Sequence, residues 1–314
     1  MVLHGHPRDH RDVGTRDMAR AALVALIWGV NFVVIEWGMR GIPPLLFVAI
    51  RFTLVAVPAV FLVRRPDAPW RVILGVGVFM SLGQFALLYT AIGLGMPPGI
   101  AALVLQAQVI LTILVAAAVL RDIPTPVQLA GVVLGTVGLL VVALGRDAAT
   151  SPLALLVALG AALSWAVGNV LVRASRVKGG LGLTVWSALA VPLPALGLSL
   201  LLDGPRAVVA GLGAFGLPAL ASTAFTVVLA TMVGYGIFTS LLSSHPAAAV
   251  VPWILLVPPI AITASWALLG QRPNLAETLG GALLLLGVLV ANLPRRRSGS
   301  TGLNAREEAP AALR

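Results

Sequence analysis

The segment GQFALLYTAIGLGMPPGIAALVLQAQ, residues 83–108, places three glutamines and a double proline inside an otherwise apolar stretch. Amide side chains are costly in lipid, so these glutamines are expected to face a protein interior or a water-filled cavity. Pro97 and Pro98 lack backbone N–H groups and are flanked by glycines, which predicts two membrane helices joined by a tight turn. We interpret this hairpin as the lining of a small-molecule pathway. The three glutamines are Gln84, Gln106 and Gln108.

The composition of the 314-residue chain is typical of an integral membrane protein. Hydrophobic residues make up 59% of the chain, charged residues 10%, and the mean hydropathy is +1.01, whereas roughly a quarter of the residues in soluble domains are charged. Apolar runs long enough to cross a bilayer recur along the chain. We therefore predict an all-α membrane protein with ten spans, at about residues 21–39, 44–63, 72–94, 99–120, 127–144, 152–172, 182–202, 216–242, 247–269 and 276–293.

Basic residues predict the orientation of these spans. Successive connections between spans lie on alternate sides of the membrane. This places sixteen Lys or Arg residues on one side and four on the other, with Arg51 inside a span. Short loops rich in Lys and Arg stay in the cytoplasm, so both termini are expected to be cytoplasmic. The net charge of +10 lies at the ends of spans rather than in a cluster with aromatic residues, which argues against nucleic-acid binding.

The two terminal tails are polar. Residues 1–20 are too charged for a cleaved signal peptide, so the first helix is expected to be retained. Residues 294–314 are expected to be disordered and cytoplasmic, with their basic residues near anionic lipid headgroups.

The chain has no cysteine, which excludes disulfides and thiolate sites. We expect no metal and no cofactor, although the N-terminal tail holds His4, His6 and His10.

The two halves of the chain resemble each other. A shift of 137 positions aligns Trp28 with Trp165, and a shift of 149 aligns Pro97 with Pro246 and Leu120 with Leu269. Each half holds five predicted spans, and an odd number inserts the second half upside down relative to the first. We therefore predict two inverted five-helix repeats, residues 21–144 and 152–293, around a central cavity. Chance matching of two apolar sequences is the alternative.

Arg51 and Glu36 are ionisable residues within predicted spans. A short connection brings them to a similar depth, so they are candidates for an ion pair or for coupling to an ion. An arginine that faces the bundle also suits a substrate carboxylate. A structural ion pair, or side chains that reach the outer interface, is the alternative.

Polar and aromatic residues in the middle of several spans are further candidates for substrate binding. Together they would form an amphipathic cavity suited to a small zwitterion or a weakly polar metabolite. Hydrogen bonding between packed helices is the alternative explanation for each of them. Besides the three glutamines and Arg51, the candidates are Trp28, Asn31, Tyr89, Trp165, Asn169, Trp186, Tyr235 and Trp253.

Prolines and glycines mark places where helices bend or pack closely. Prolines in the ninth predicted span free backbone carbonyls and predict a kink, with or without gating. Gly131 and Gly135 form a G-x-x-x-G pair, which permits close packing within the bundle or between protomers of a homodimer through peripheral helices. The kink or gating candidates are Pro97, Pro98, Pro246, Pro252 and Pro258.

Catalytic sequence motifs are absent. The chain contains no H-E-x-x-H, no G-x-S-x-G, no Walker A loop and no pair of carboxylates inside the spans. These absences argue against an enzyme and against an ATP-driven pump in this chain. Secondary transport or facilitated exchange remains, in a bacterial plasma membrane, with a small molecule and the lipid bilayer as partners. A membrane-embedded enzyme or an accessory subunit is the alternative from another class.

Five segments of the chain are distinctive: IWGVNFVVIEWGMRGIPPLLFVAIRF (27–52), LGQFALLYTAIGLGMPPGIAALVLQAQ (82–108), LSWAVGN (163–169), ATMVGYGI (230–237) and LLVP (255–258). With these segments the chain resembles the EamA family of the drug/metabolite transporter superfamily, and within it the bacterial O-acetylserine/cysteine exporter branch. The resemblance implies a central cavity built from helices one to four and six to nine, with helices five and ten peripheral. It also implies export of amino acids or related metabolites by alternating access, and a drug or toxic-analogue exporter is the alternative.

Two features depart from the family pattern. Glu36 stands where members of this branch commonly carry lysine, which implies a changed charge near the outer mouth. The Gly-Glu-Arg that often ends helices four and nine is replaced by Arg-Asp-Ile (121–123) and Gly-Gln-Arg (270–272). The second half therefore lacks that carboxylate.

Overall fold

The computed structural model describes residues 14–145, 151–177, 180–245 and 247–293, and within these ranges all regular secondary structure is helical. Nine helices of the described residues are long and apolar enough to cross a membrane, as expected of a multi-pass membrane protein. We number them as the first to ninth spans. They are Thr15–Gly38, Pro44–Leu62, Trp70–Gly93, Pro98–Leu120, Pro126–Gly145, Pro152–Ser175, Leu181–Leu202, Leu217–Ser244 and Pro252–Leu269.

The helix after the ninth span, Leu275–Ala291, occupies the position of the tenth predicted span and is called the terminal helix. It has 17 residues, which at 1.5 Å per residue give about 26 Å, slightly less than the ~30 Å hydrocarbon core. Its first turn is closed by a capping box, in which the backbone N–H of Glu277 donates to Asn274 at 2.8 Å and that of Asn274 donates to Glu277 at 2.9 Å.

Three features of the helices differ from the predicted spans. The first span begins at Thr15 rather than near residue 21, because Asp17 and Arg20 pair across one turn at 3.3 Å and continue the helix outward. The seventh span is interrupted between Ala188 and Pro192, because a proline has no N–H to donate and disfavours helix before it. The connection after it contains an additional helix, Pro205–Gly213, that was not predicted.

The predicted hairpin within residues 83–108 is confirmed. The third span ends at Gly93 and the fourth begins at Pro98, where the missing N–H of a first-turn proline has no cost. Gly95 has a φ of +91°, a conformation that favours glycine, so it allows the chain to reverse within a few residues.

The fifth span and the terminal helix pack against each other along their glycines. A Cβ atom on Gly131 would lie 2.5 Å from the backbone nitrogen of Ala291, and one on Gly280 would lie 2.7 Å from the carbonyl oxygen of Gly138. Gly135 also belongs to this contact, through Ile110 and the terminal helix. The G-x-x-x-G pair is therefore used inside the chain, which accounts for it without a second protomer.

The third and eighth spans each contain a π-helical segment, Gly77–Gly83 and Phe225–Gly234. A wider helical turn leaves carbonyl groups available to neighbouring helices. The Ser164 hydroxyl of the sixth span donates to the carbonyl of Phe79 at 2.8 Å, and the indole N–H of Trp28 in the first span donates to the carbonyl of Ala230 at 2.9 Å. A side chain of the sixth span thus bonds to the π-helical segment of the third span, as a side chain of the first span bonds to the π-helical segment of the eighth.

Candidate functional site

Two spans are broken in mid-helix. In the fourth span the break lies at Gln106, whose backbone N–H bonds to the carbonyl three residues back, at Leu103. In the ninth span it lies at Leu255 and Leu256, which also bond three residues back. Pro258 explains the second break in part, since its ring crowds the carbonyl four residues earlier. Broken helices leave backbone groups that must contact protein or a water-filled cavity.

Both breaks line the same cavity, which has a volume of about 310 Å³. This volume lies at the lower end of the ~300–1,000 Å³ typical of small-molecule sites. The cavity wall combines apolar side chains, including Val109, Ile254 and Leu255, with amides and one hydroxyl, and no charged residue belongs to the described lining. The polar residues of the wall are Gln106, Gln108, Thr112, Gln128, Asn169 and Asn292.

Three of these polar residues hold one another in place. The Asn169 amide of the sixth span donates to the Gln108 side-chain oxygen at 2.9 Å and to the Thr112 hydroxyl oxygen at 3.3 Å. The Thr112 hydroxyl donates in turn to the backbone carbonyl of Gln108 at 2.6 Å, one helical turn earlier. These bonds fix one side of the cavity between the fourth and sixth spans.

Gln106 differs from its neighbours because its amide has no hydrogen-bond partner among the described residues, although its side chain is only 7% exposed. Since Gln106 lines the cavity, water or a ligand there can supply hydrogen bonds to its amide. Gln106 is therefore the side chain of this cavity with the most hydrogen-bonding capacity to offer.

Arg51 lies apart from the cavity lining, in a group of aromatic side chains. Its guanidinium donates to the Tyr89 hydroxyl at 2.6 Å and lies 4.5 Å from the ring centre of Phe85, with the rings of Phe52 and Tyr89 slightly farther away. The residue is 4% exposed, and its Nε atom has no hydrogen-bond partner. A cation among aromatic faces gains about 0.5–2 kcal/mol from each well-placed ring.

The predicted ion pair between Glu36 and Arg51 does not form. Arg51 turns toward the third span, whereas Glu36 accepts a hydrogen bond of 3.4 Å from the amide of Gln271, at the end of the ninth span. The two residues lie on consecutive spans but have different neighbours, which spacing in the sequence does not reveal. Glu36 and Gln271 each belong to one of the two departures from the family pattern described above, and in the structure they contact each other.

The aromatic candidates of the first and eighth spans form a cluster. The ring centres of Trp28 and Tyr235 lie 5.0 Å apart, and Phe238 completes the group at 5.4 Å from Trp28. Asn31, three residues after Trp28, accepts a hydrogen bond of 2.9 Å from the Thr226 hydroxyl. These side chains join the first and eighth spans and do not line the cavity of about 310 Å³.

The remaining candidates are dispersed. Trp165 is half-buried against the main core, and Gln84 is buried in the third span. Trp186 donates to the carbonyl of Val63 at 2.9 Å and lies against Trp70, so it joins helix ends rather than facing the cavity. Trp253 packs in a small cluster near the start of the first span.

The proline candidates flank the turn and the breaks. Pro97 caps the fourth span and Pro98 begins it. Pro252 lies inside the short helix Ala247–Ile254, which precedes the second break, and Pro258 lies just after that break. Pro246 lies outside the described residues, as do His4, His6, His10 and the C-terminal tail from residue 294.

Three cavity residues were missed by sequence reasoning. Thr112 follows Gln108 by four positions and so shares its helix face, a signal that was available. Gln128 and Asn292 lie at the ends of the fifth span and the terminal helix. The resemblance implies that these two helices are peripheral, yet both contribute to this cavity.

Comparisons with known proteins give a consistent result. The sequence profile of the EamA-like transporter family matches residues 18–144 and again 152–293. A protein of Escherichia coli (strain K12) named "Probable amino-acid metabolite efflux pump" is 38% identical over 283 residues, which are 88% of this chain and 94% of that protein. A protein of the same name from Salmonella typhimurium shows the same identity and coverage.

More distant proteins also match. A "Probable terminal-alkyne amino-acid exporter" of Streptantibioticus cattleyicolor is 28% identical over 247 residues, 76% of this chain and 80% of that protein. A solved structure described only as "Crystal structure of protein" superposes with a TM-score of 0.58 over 91% of this chain and 99% of its own, at 24% identity, which speaks to the fold alone. Because the family profile matches both halves and covers most of the chain, this protein belongs to the EamA-like transporter family.

Proposed function

We propose that this protein is a secondary transporter that exports amino acids or related small metabolites across the bacterial plasma membrane by alternating access. The observation that carries the proposal is the meeting of two broken helices at one cavity. Many transporters bind substrate where helices are discontinuous, because free backbone groups there complement the charges of a small zwitterion. The names of the relatives from Escherichia coli and Salmonella typhimurium point to the same class of substrate.

Within this cavity the proposed substrate contacts are Gln106, Gln108 and Asn169. Gln106 offers a free amide, whereas Gln108 and Asn169 are held in place by each other. Thr112 and the backbone of the two breaks complete the polar side, and the apolar side chains receive the substrate's hydrocarbon part. The proposed site therefore lies against the fourth and sixth spans.

The role of Arg51 has two interpretations. As a substrate residue, it would use its free Nε–H to bind a carboxylate. As a structural residue, it would hold the second and third spans together through Tyr89 and the surrounding rings. The contacts with Tyr89 and Phe85, and the position outside the cavity lining, favour the structural interpretation.

We also propose ten membrane spans in two inverted repeats, residues 21–144 and 152–293, with the terminal helix as the tenth. The equivalent features support this arrangement: π-helical segments in the third and eighth spans, breaks in the fourth and ninth, and glycine contacts between the fifth span and the terminal helix. The breaks at Gln106 and Leu255 are related by the shift of 149 positions found in the sequence.

Two further expectations complete the proposal. Both termini are cytoplasmic, which reporter fusions at the C-terminus test directly: activity of a periplasm-dependent reporter there would contradict the orientation. A homodimer through peripheral helices stays a prediction, and any such contact must use surfaces other than the Gly131 face, which is occupied within the chain.

Counterflow in proteoliposomes tests the function. Vesicles loaded with unlabelled amino acid are expected to accumulate the labelled compound without chemical change. Product formation would indicate an enzyme instead, and exchange of only lipophilic drugs would indicate a drug exporter. Gln106→Leu is expected to reduce exchange by about five- to one-hundred-fold, since a substrate group left without its hydrogen bond costs ~1–3 kcal/mol and each ~1.4 kcal/mol is a factor of ten. Leu114→Met, on an exposed face of the same span, is the matched control.

A further inference from the structure

Two contacts between helix ends hold equivalent positions in the two halves of the chain. Asp122, just after the fourth span, bonds to Arg173 near the end of the sixth, and Gln271, just after the ninth span, bonds to Glu36 near the end of the first. The shift of 149 positions relates Asp122 to Gln271, and the shift of 137 relates Glu36 to Arg173. The same pair of shifts was found in the sequence at other residues.

The local backbone supports this equivalence. Arg121 and Gly270 each end a span in the left-handed conformation, with φ of +55° and +71°. These two residues are also related by 149 positions and place the following side chain, Asp122 or Gln271, against the neighbouring span. The even-numbered fourth and sixth spans end on one side of the membrane, and the odd-numbered first and ninth spans end on the other. With cytoplasmic termini, we name them the cytoplasmic contact (Asp122–Arg173) and the outer contact (Glu36–Gln271).

The two contacts differ in strength. The cytoplasmic contact is an ion pair with a distance of 2.8 Å between the Arg173 nitrogen and the Asp122 oxygen, and because the Arg173 side chain is 58% exposed the pair contributes at most about 1 kcal/mol. The outer contact is a single hydrogen bond of 3.4 Å, and the side-chain oxygen of Gln271 is buried without a partner. An unsatisfied buried acceptor costs free energy that opening to water would recover. We therefore expect the closed state of the outer end to be less stable than the closed state of the cytoplasmic end.

We propose that these contacts are a pair of unequal latches that set the resting conformation: the cytoplasmic end is held closed by its ion pair, and the outer end opens more readily, so the unloaded transporter faces outward. This inference rests on the alternating access proposed above. Each latch joins a span that carries a helix break, the fourth or the ninth, to a span of the other half, so opening one end requires its latch to separate.

Electron–electron distance measurements between spin labels test the proposal. The chain contains no cysteine, so cysteines introduced at the exposed positions Ile123 and Ala174 report the cytoplasmic end without background labelling. Gln271→Lys adds a charge opposite Glu36 and strengthens the outer latch. A long distance between the two labels reports an open cytoplasmic end. The population with this long distance is expected to rise about two- to five-fold, the range that an ion pair of ~0.4–1 kcal/mol supplies. Gln271→Met, of similar size and no charge, is the control and is expected to show no rise.

A second set of variants separates the latch from side effects. In Gln271→Lys combined with Glu36→Gln the rise is expected to disappear, because the new lysine has lost its partner. The pair Glu36→Lys and Gln271→Glu, an ion pair of reversed polarity, is expected to restore it. Arg173→Gln weakens the cytoplasmic latch and is also expected to lengthen the distance.

Counterflow of labelled amino acid is measured on the same variants. If the distances stay unchanged in Gln271→Lys and in the reversed pair while counterflow persists, the latch proposal is wrong and the transport function stands. An equal rise with and without Glu36 also overturns it. Absence of counterflow from the folded wild-type protein would count against the proposed function, whatever the distances show.

Discussion

The glycine contact between the fifth span and the terminal helix allows a prediction with a calculable magnitude. A Cβ on Gly138 would lie 2.6 Å from the carbonyl oxygen of Gly280, whereas ordinary van der Waals contact begins at 3.4 Å. Both partners are backbone, and the backbone nitrogen of Leu284 lies closer still, so Gly138→Ala must separate the two helices by at least the difference, about 0.8 Å. A gap of that size forfeits roughly a quarter to a half of each dispersion contact along the helix pair. We expect destabilisation of about 1–3 kcal/mol, as for other overpacked sites.

Thermal unfolding in detergent measures this effect. The unfolding temperature of Gly138→Ala is expected to fall by about 2–12 °C, at the ~2–4 °C per kcal/mol typical of larger domains. Gly197→Ala is the matched control, because it replaces a glycine inside the seventh span with nothing within 4 Å of the new Cβ. That variant is expected to unfold at or slightly above the wild-type temperature, since alanine favours helix. Equal unfolding temperatures for the two variants would refute the close contact.

Three further predictions concern side chains of the spans. Adding Leu255→Gln to Gln106→Leu moves the amide to the equivalent position of the other half, and counterflow is expected to recover in part; no recovery would mean that the two breaks do not face one substrate. Arg51→Gln is expected to lower the unfolding temperature without changing the half-saturation concentration in counterflow, and the reverse result would assign Arg51 to the substrate. Trp28→Phe removes the donor to Ala230 and keeps a ring, so a stability loss of about 0.6 kcal/mol is expected, as for other hydrogen bonds between membrane helices, and an unchanged unfolding temperature would contradict that bond.

Much of the fold could be predicted from the sequence because lipid constrains it so strongly. Apolar length predicted the spans, and two prolines beside glycines predicted the turn before Pro98, since both follow from backbone hydrogen bonding. The π-helical segments could not be predicted in the same way. Gly77–Gly83 and Phe225–Gly234 are apolar runs without proline, and their carbonyls accept hydrogen bonds from Ser164 and Trp28, which come from spans distant in sequence.

The candidate site shows the same division. Polarity in an apolar run indicated Gln106, Gln108 and Asn169, and the structure places them at one cavity. Polarity alone could not separate them from Asn31, which has the same chemistry but bonds to Thr226 between packed helices. Only the helix that each residue faces distinguishes a cavity amide from a packing amide. This information lies in the tertiary structure.

The cavity is chemically one-sided although the backbone around it repeats. Gln106 and Leu255 occupy equivalent breaks, yet one offers a free amide and the other a hydrocarbon surface. A symmetric pair of amides would hold a small polar molecule equally well in two opposite orientations. With one amide side and one apolar side, the cavity instead favours a substrate whose polar group points toward the fourth and sixth spans and whose apolar part points toward the ninth. In the proposed transporter the two repeats supply the moving framework, and the difference between Gln106 and Leu255 supplies the orientation of the substrate.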